Sequence, residues 1–148
     1  MPPVLDNEKV LEKQKFMAPM DKLEQVRDLK AAVVLPATLI GTWVNCDRQT
    51  RGLKELILSA SGAEINVHGF GACTPTPCDW KTAPGLIFAD SVTSTPAVAF
   101  TAVYNFGFKE TTIVGHLDAG LLRVETFDHF TDKSGRSDYY ARYFMEKA

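Results

Sequence analysis

Histidine and cysteine side chains are the groups of this chain best suited to acid–base, metal-binding or redox chemistry, and the sequence has three of each. His68 is the most interesting histidine, because it alternates with Asn66 and Phe70 along a predicted strand and would face a ligand if that side pointed inward. Ile65 and Val67, on the other side, form the better core face, so the direction of His68 stays open. We keep His68 as a candidate ligand-binding residue.

Cys73 and Cys78 bracket a segment with proline at two positions, here called the cysteine loop. Three interpretations of this loop compete. A zinc site would need further ligands, for which only Cys46, His68 and Asp79 are available. A disulfide is geometrically feasible, whereas an odd cysteine count in a chain without a secretory signal favours two reduced thiols in a stiff loop. We expect reduced thiols, no bound metal and no cofactor.

Several aromatic side chains share the inward parity of the predicted strands. Phe100, Tyr104, Tyr139 and Tyr143 would either fill a core or line a pocket, since tyrosine gives an apolar wall with one polar handle. Arg123 is added as a charged group for the same ligand. These residues join His68 in the candidate ligand-binding set, and no residue is assigned a catalytic role.

Charged side chains also flank the cysteine loop. Asp47, Arg51 and Asp79 surround this loop and the first predicted strand, and they could meet at one end of the fold as a loop-fixing ion pair or as a substrate clamp. Asp79 and Trp80, which follow the loop, are assigned a structural role. The sequence contains no nucleophile elbow, P-loop, dinucleotide fingerprint or His-Glu-x-x-His zinc motif, so known catalytic patterns indicate no reaction.

Eight β-branched and aromatic runs, separated by Gly, Pro, Asp and Ser, must position these side chains. Several connections are short, which makes successive strands antiparallel, and closing eight such strands into a barrel removes two exposed edges. The sequence therefore predicts a mainly β fold, an eight-stranded antiparallel up-and-down β-barrel. The predicted strands are Thr38–Asn45, Leu53–Ala60, Glu64–Phe70, Leu86–Asp90, Ala97–Phe106, Lys109–Leu117, Leu121–Phe130 and Asp138–Met145.

The beginning of the chain has a different texture. It is rich in charged residues, contains no glycine, and carries apolar residues at near-helical spacing. We predict an N-terminal helical arm over residues 1–36, with helices at Asn7–Phe16 and Pro19–Lys30, followed by a barrel domain over residues 37–148.

Alternation along the last predicted strand leaves two large aromatic side chains on its outer face. Tyr140 and Phe144 would then lie on a surface that should be polar, so something must cover them. The apolar stripe of the helical arm is one cover, and a second subunit in a homo-oligomer is the alternative.

Gly41-Thr42-Trp43 opens the first predicted strand. It resembles the Gly-x-Trp start of lipocalin-like and avidin-like barrels, in which the Trp plugs one end and packs against a basic residue of the last strands. The resemblance implies that role for Trp43, with Arg142 or Arg123 as the basic partner. A longer pattern is similar to a group of small uncharacterised bacterial proteins with a lipocalin-like (calycin-type) barrel, and implies that fold but no activity. Its motifs are Trp43-Val44-Asn45, Thr50-Arg51-Gly52, the segment from Cys73 to Trp80, and Asp132-Lys133-Ser134-Gly135-Arg136.

Composition narrows the range of functions. The chain has 148 residues, 45% of them hydrophobic, and a net charge of −2, which fits one globular domain and argues against nucleic acid as a partner. No apolar stretch is long enough to span a membrane, and without a secretory signal we expect a cytoplasmic protein. Three functions remain, in this order: binding of a small, mostly apolar molecule in the barrel; an isomerase or cyclase acting on such a ligand; and a protein-interaction module with a filled barrel.

Overall fold

The computed structural model describes residues 33–148, which form eight β-strands and one short 3-10 turn at Pro36–Thr38. Each strand lies antiparallel to the next, and the eighth pairs with the first, so the sheet closes. The predicted mainly β, eight-stranded antiparallel barrel is confirmed. The strands are β1 (Gly41–Asn45), β2 (Leu53–Ser61), β3 (Glu64–Gly71), β4 (Cys78–Phe88), β5 (Ala99–Asn105), β6 (Lys109–Asp118), β7 (Leu121–Phe130) and β8 (Tyr139–Lys147).

The fourth strand differs most from its prediction. It was expected to begin at Leu86, but it begins at Cys78 and therefore includes Trp80. Pro84 and Gly85 look like a strand break in the sequence. Pro84 nevertheless lies just outside the β4–β5 ladder, which begins at Gly85, and proline is tolerated at positions where no ladder bond needs its N–H.

The inner face of the barrel is apolar from one end to its centre. Buried residues alternate with more exposed ones along most strands, and Leu122 and Val124 of β7 lie on the same inner face as Ile65 of β3. Phe100 is fully buried, and a Cβ on Gly115 would lie 2.3 Å from its ring. Side chains therefore fill this part of the barrel.

Trp43 closes the apolar end. It is almost fully buried, and its indole N–H donates a 2.9 Å hydrogen bond to the backbone four residues earlier. Its basic partner comes from the last strand but is Lys147, with Nζ 5.4 Å from the Trp43 ring centroid. The expected partners, Arg142 and Arg123, were wrong, because strand alternation turns both outward, where their guanidinium groups lie over the Phe144 ring.

The predicted helical arm lies outside the described residues, so its helices and the domain division at residue 36 stay predictions. Tyr140 and Phe144 lie on the outer face of β8 as predicted, and they are 51% and 40% exposed. Within residues 33–148, no helix has the length and apolar character needed to cross a membrane.

Candidate functional site

The end of the barrel opposite Trp43 holds a cavity of about 200 Å³, here called the mouth cavity. The β1–β2 and β3–β4 connections surround it together with the ends of β6, β7 and β8, which the alternation of up and down strands brings to one end of the barrel. Polar and charged side chains predominate in its wall. The main ones are Arg51, Trp80, Lys109, Thr111, Thr126, Asp128, Tyr139 and Tyr143.

A β-bulge turns Trp80 into the wall of the mouth cavity. Two residues of β4, Trp80 and Lys81, oppose Gly69 alone in the β3–β4 ladder, and such a bulge re-aims a side chain. The indole covers the inner face of β3, where a Cβ on Gly69 or Gly71 would lie 2.7 or 2.9 Å from it. The two glycines therefore provide the space that Trp80 occupies.

The hydroxyl of Tyr104 supports the same bulge. It accepts a 3.1 Å hydrogen bond from the N–H of Gly69, and the carbonyl oxygens of Val67 and Lys81, each 2.8 Å away, share its single proton. Burial raises the pKa of Tyr104, so the hydroxyl stays neutral. Tyr104 faces inward as predicted. Its hydroxyl, however, is fully used in hydrogen bonds to the backbone, and the residue does not border the mouth cavity.

The β6–β7 hairpin adds a buried ion pair to the cavity wall. Its two-residue turn at Ala119-Gly120 sets a register in which Thr111 lies opposite Asp128, both on the inner face. Asp128 is only 6% exposed; its Oδ1 accepts a hydrogen bond from the Thr111 hydroxyl and lies 3.3 Å from Nζ of Lys109. Burying such a pair costs desolvation energy that apolar residues would avoid. The pair therefore makes this end of the inner face charged, where the rest of the barrel interior is apolar.

Strand β8 contributes two tyrosines to the wall. Tyr139 lies opposite Asp128, and partial burial together with the Asp128 carboxylate raises the pKa of Tyr139 to about 12. Its hydroxyl therefore keeps its proton at neutral pH. Tyr143 crosses above Gly52, where a Cβ would lie 2.1 Å from the hydroxyl oxygen. Both tyrosines belong to the predicted inward set, and both border the mouth cavity.

Arg51 stands at the rim of the mouth cavity, in the loop between β1 and β2. The side-chain amide of Asn45 donates a 2.8 Å hydrogen bond across this loop to the Leu53 carbonyl. The N–H of Ala72 donates a 2.8 Å bond to the Gly52 carbonyl, which ties the loop to the chain ahead of the cysteine loop. Arg51 thus reaches the barrel mouth, as its position in the sequence suggested, and none of the carboxylates in residues 33–148 forms an ion pair with it.

Cys73 and Cys78 are joined as a disulfide at the edge of the mouth cavity, with their Cα atoms 5.3 Å apart. The expectation of reduced thiols was wrong for this pair, while Cys46 is free and exposed. The cause is the unexpected early start of β4, since Cys78 pairs with Gly71 and the chain reaches Cys73 two residues later. The bond fixes the width of the loop at the rim.

Two other candidate residues lie away from the mouth cavity. Phe100 is fully buried in the filled centre of the barrel, beside Gly115. Arg123 lies on the outer face of β7, where its guanidinium carbon is 5.3 Å from the centroid of the Phe144 ring. The core role is thus the better description of Phe100, and Arg123 cannot contact a molecule inside the barrel.

His68 also points outward, because Ile65 and Val67 take the inner face of β3. Its Nε2 lies 2.6 Å from Oδ1 of Asp79, and its ring stacks on Phe70. The pKa of Asp79 is lowered by the backbone N–H that follows it in the bulge and by His68. Asp79 therefore contacts the bulge from outside, and His68 does not line the cavity.

Three important wall residues, Lys109, Thr111 and Asp128, were absent from the sequence-based set. Thr126 was likewise absent from that set. The missing signal was the alternation itself, because continuing the inward series of β7 by one step beyond Thr126 reaches Asp128. The polar end of that series marks where the apolar core stops and the mouth cavity begins.

The cavity wall holds more hydrogen-bond donors than the fold uses. The hydroxyls of Thr126 and Tyr143 and the indole N–H of Trp80 make no hydrogen bond with another residue in 33–148, although Thr126 is only 3% exposed. These groups are not sealed inside the protein, so the cavity presents them to whatever occupies it, water included. Within the described residues, no group of three or more His, Cys, Asp or Glu side chains is placed to hold a metal ion.

We compared the chain with protein-family models, with curated proteins and with solved structures, and no match was found.

Proposed function

We propose that this protein binds a small molecule in the mouth cavity, and that polar groups hold it there. The observation that carries the proposal is the Thr126 hydroxyl, which is accessible from the cavity on an otherwise buried residue and makes no hydrogen bond within residues 33–148. A side chain needed only for packing would be apolar at this position. A bound molecule or ordered water gives the hydroxyl the partner that buried polar groups require.

The size of the cavity limits what can enter it. Its volume of about 200 Å³ lies below the ~300–1,000 Å³ of sites that enclose drug-sized ligands. Phe100 and its neighbours fill the barrel below it, so a long acyl chain has no space. The ligand is therefore close in size to a single ring. The mostly apolar ligand expected from the aromatic residues does not suit this wall, since Lys109, Asp128 and Arg51 would lie against it.

An enzyme acting on such a molecule is the second candidate. Asp128 can accept a proton, and the adjacent Tyr139, whose pKa is raised to about 12, can donate a hydrogen bond to an oxygen that gains charge. Acid–base catalysis needs two such groups around one ligand. Binding is the primary proposal because a donor-rich wall requires only a bound partner, whereas a reaction requires a substrate of defined chemistry.

Thermal shift measurements with single-ring fragments at millimolar concentration test the proposal. The set contains acids, amines and neutral compounds, because ligands that bind the native state raise its melting temperature. We expect at least one fragment to stabilise the protein and to lose this effect in Thr126→Leu, which fills the cavity. Thr112→Leu, on the outer face of the same hairpin, is the matched control and should keep it. The proposal fails if no fragment stabilises the wild type, or if Thr126→Leu responds like the control.

A further inference from the structure

The hydrogen-bonding groups around the mouth cavity are unequally divided between donors and acceptors. Trp80, Thr126 and Tyr143 each bring an N–H or O–H without a partner in residues 33–148, and Arg51 brings a guanidinium. The wall has one carboxylate, Asp128, which already contacts Thr111, Lys109 and Tyr139. The Trp80 N–H and the Arg51 guanidinium can only donate, and the two hydroxyls can donate as well, so a ligand that carries acceptor oxygens suits all four groups.

Charge favours the same class of ligand. Arg51 and Lys109 bring two positive charges to the wall and Asp128 is its one carboxylate, so the cavity carries a net charge of about +1. Lys109 is 3.3 Å from Asp128, which offsets that negative charge. The Arg51 guanidinium is then left to pair with an anion from outside, and its planar fork matches a carboxylate.

Two aromatic side chains in the wall favour a flat molecule. The Trp80 indole, which packs against Gly69 and Gly71, and the Tyr143 ring both border the cavity. Aromatic walls of this kind bind a ring through its face or edge. We propose that the mouth cavity selects a flat organic anion, for which a carboxylate on a single aromatic ring is the simplest example. This inference rests on the proposed binding function and specifies its ligand class.

Calorimetric titration with three probes of nearly equal size tests the inference. The probes are benzoate, benzyl alcohol and benzylamine, which share a ring and differ in charge. We expect benzoate to bind about tenfold or more tightly than benzyl alcohol, with benzylamine weakest. Added salt should weaken benzoate binding by screening its attraction to the cavity, leave benzyl alcohol unchanged, and not weaken benzylamine, whose repulsion is screened instead.

Two substitutions in the same loop locate the effect. Arg51→Gln should weaken benzoate binding by about tenfold and leave benzyl alcohol unchanged. Arg48→Gln is the matched control, because Arg48 pairs with Glu146 at 2.7 Å outside the cavity, and it should leave both affinities unchanged. Both side chains are exposed, and unchanged melting temperatures confirm that each variant folds.

The outcomes separate the two proposals. If benzyl alcohol or benzylamine binds as well as benzoate, or if Arg51→Gln and Arg48→Gln behave alike, the anion selectivity is overturned while the binding function stands. If none of the three probes binds at about 10 mM, above the dissociation constants expected for fragments of this size, both the selectivity and the binding function are overturned.

Discussion

Removing the hydroxyl from each of two inward tyrosines in turn should show which hydroxyl supports the fold and which belongs to the proposed binding site. Tyr104 and Tyr143 face the same interior, but the Tyr104 hydroxyl bonds to backbone groups on both sides of the bulge that carries Trp80. The Tyr143 hydroxyl borders the mouth cavity without a partner in residues 33–148. Tyr→Phe substitutions remove only the oxygen, so the ring packing is kept in both variants.

The contacts of Tyr104 set the size of the expected effect. The hydroxyl accepts one hydrogen bond from Gly69 and donates one that Val67 and Lys81 share. Each bond contributes about 1 kcal/mol net, and the Gly69 N–H left without an acceptor adds about 1 kcal/mol or more. Tyr104→Phe should therefore lower the free energy of unfolding by about 2–3 kcal/mol, or the melting temperature by about 10 °C for a domain of this length. Tyr143→Phe should cost less than about 0.5 kcal/mol.

Urea unfolding at neutral pH, followed by far-ultraviolet circular dichroism, measures both values, and titration with benzoate measures the site. We expect Tyr143→Phe to weaken benzoate binding with little change in stability. Tyr104→Phe should show the larger loss of stability, and any loss of affinity should follow from a displaced Trp80. If Tyr104→Phe is as stable as the wild type, the bulge does not depend on this hydroxyl and the reasoning is refuted.

Three further predictions concern the rim, the ion pair and the outer face. Reduction, or Cys78→Ser, should lower the free energy of unfolding by about 2 kcal/mol, as a short disulfide-closed loop implies, and thiol titration of the denatured chain should rise from one thiol to three on reduction. Lys109→Met should lower the free energy of unfolding by about 3 kcal/mol, because it leaves Asp128 buried without its cation. The double variant Lys109→Met with Asp128→Leu should lose clearly less stability, and equal losses in the two variants would contradict this reasoning. His129 lies 2.7 Å from Asp138, which raises the pKa of His129 above 6.5 and has its own pKa lowered below 3.8. The pair should therefore stabilise the fold between about pH 4 and 6.5 and fade outside that range as either group loses its charge. Asp138 also accepts a 2.8 Å hydrogen bond from the Phe130 N–H, so Asp138→Asn should lower the melting temperature more at pH 5.5 than at pH 8.5.

The barrel could be predicted from the sequence because its signals are local. Short connections impose antiparallel neighbours, and alternation separates Leu122 and Val124 from outward residues without knowledge of the partner strand. A two-residue turn at Ala119-Gly120 fixes the register of its hairpin. The opposition of Thr111 and Asp128 could therefore also have been predicted, by counting back from that turn, and the ion pair was within reach of sequence reasoning.

The rest of the site depends on departures from local rules. The bulge that turns Trp80 inward needs Gly69 and Gly71 in another strand and Tyr104 in a third, and no pattern within β4 marks it. Because β4 was predicted to begin eight residues late, at Leu86 instead of Cys78, the proximity of the two cysteines was missed. The odd number of cysteines suggested reduced thiols, but whether two cysteines form a disulfide depends on the distance between them, which the strand boundaries determine.

Stability and binding are separated along the barrel axis, and this explains why an apolar ligand was expected and a polar cavity was found. Phe100, near the centre of the barrel, packs in the hydrophobic core. From the Trp43 end, apolar side chains fill the barrel as far as Ile113 and Val124. Beyond that level the same alternation continues with Thr111, Thr126 and Asp128, which the core does not need. Substitutions at the Trp43 end should therefore change stability with little effect on binding, whereas most substitutions in the mouth cavity should change binding at a modest cost in stability. Under the proposed function, a ligand would enter where the packing stops, and the side chains at that boundary, not the most aromatic ones, would determine which molecule binds.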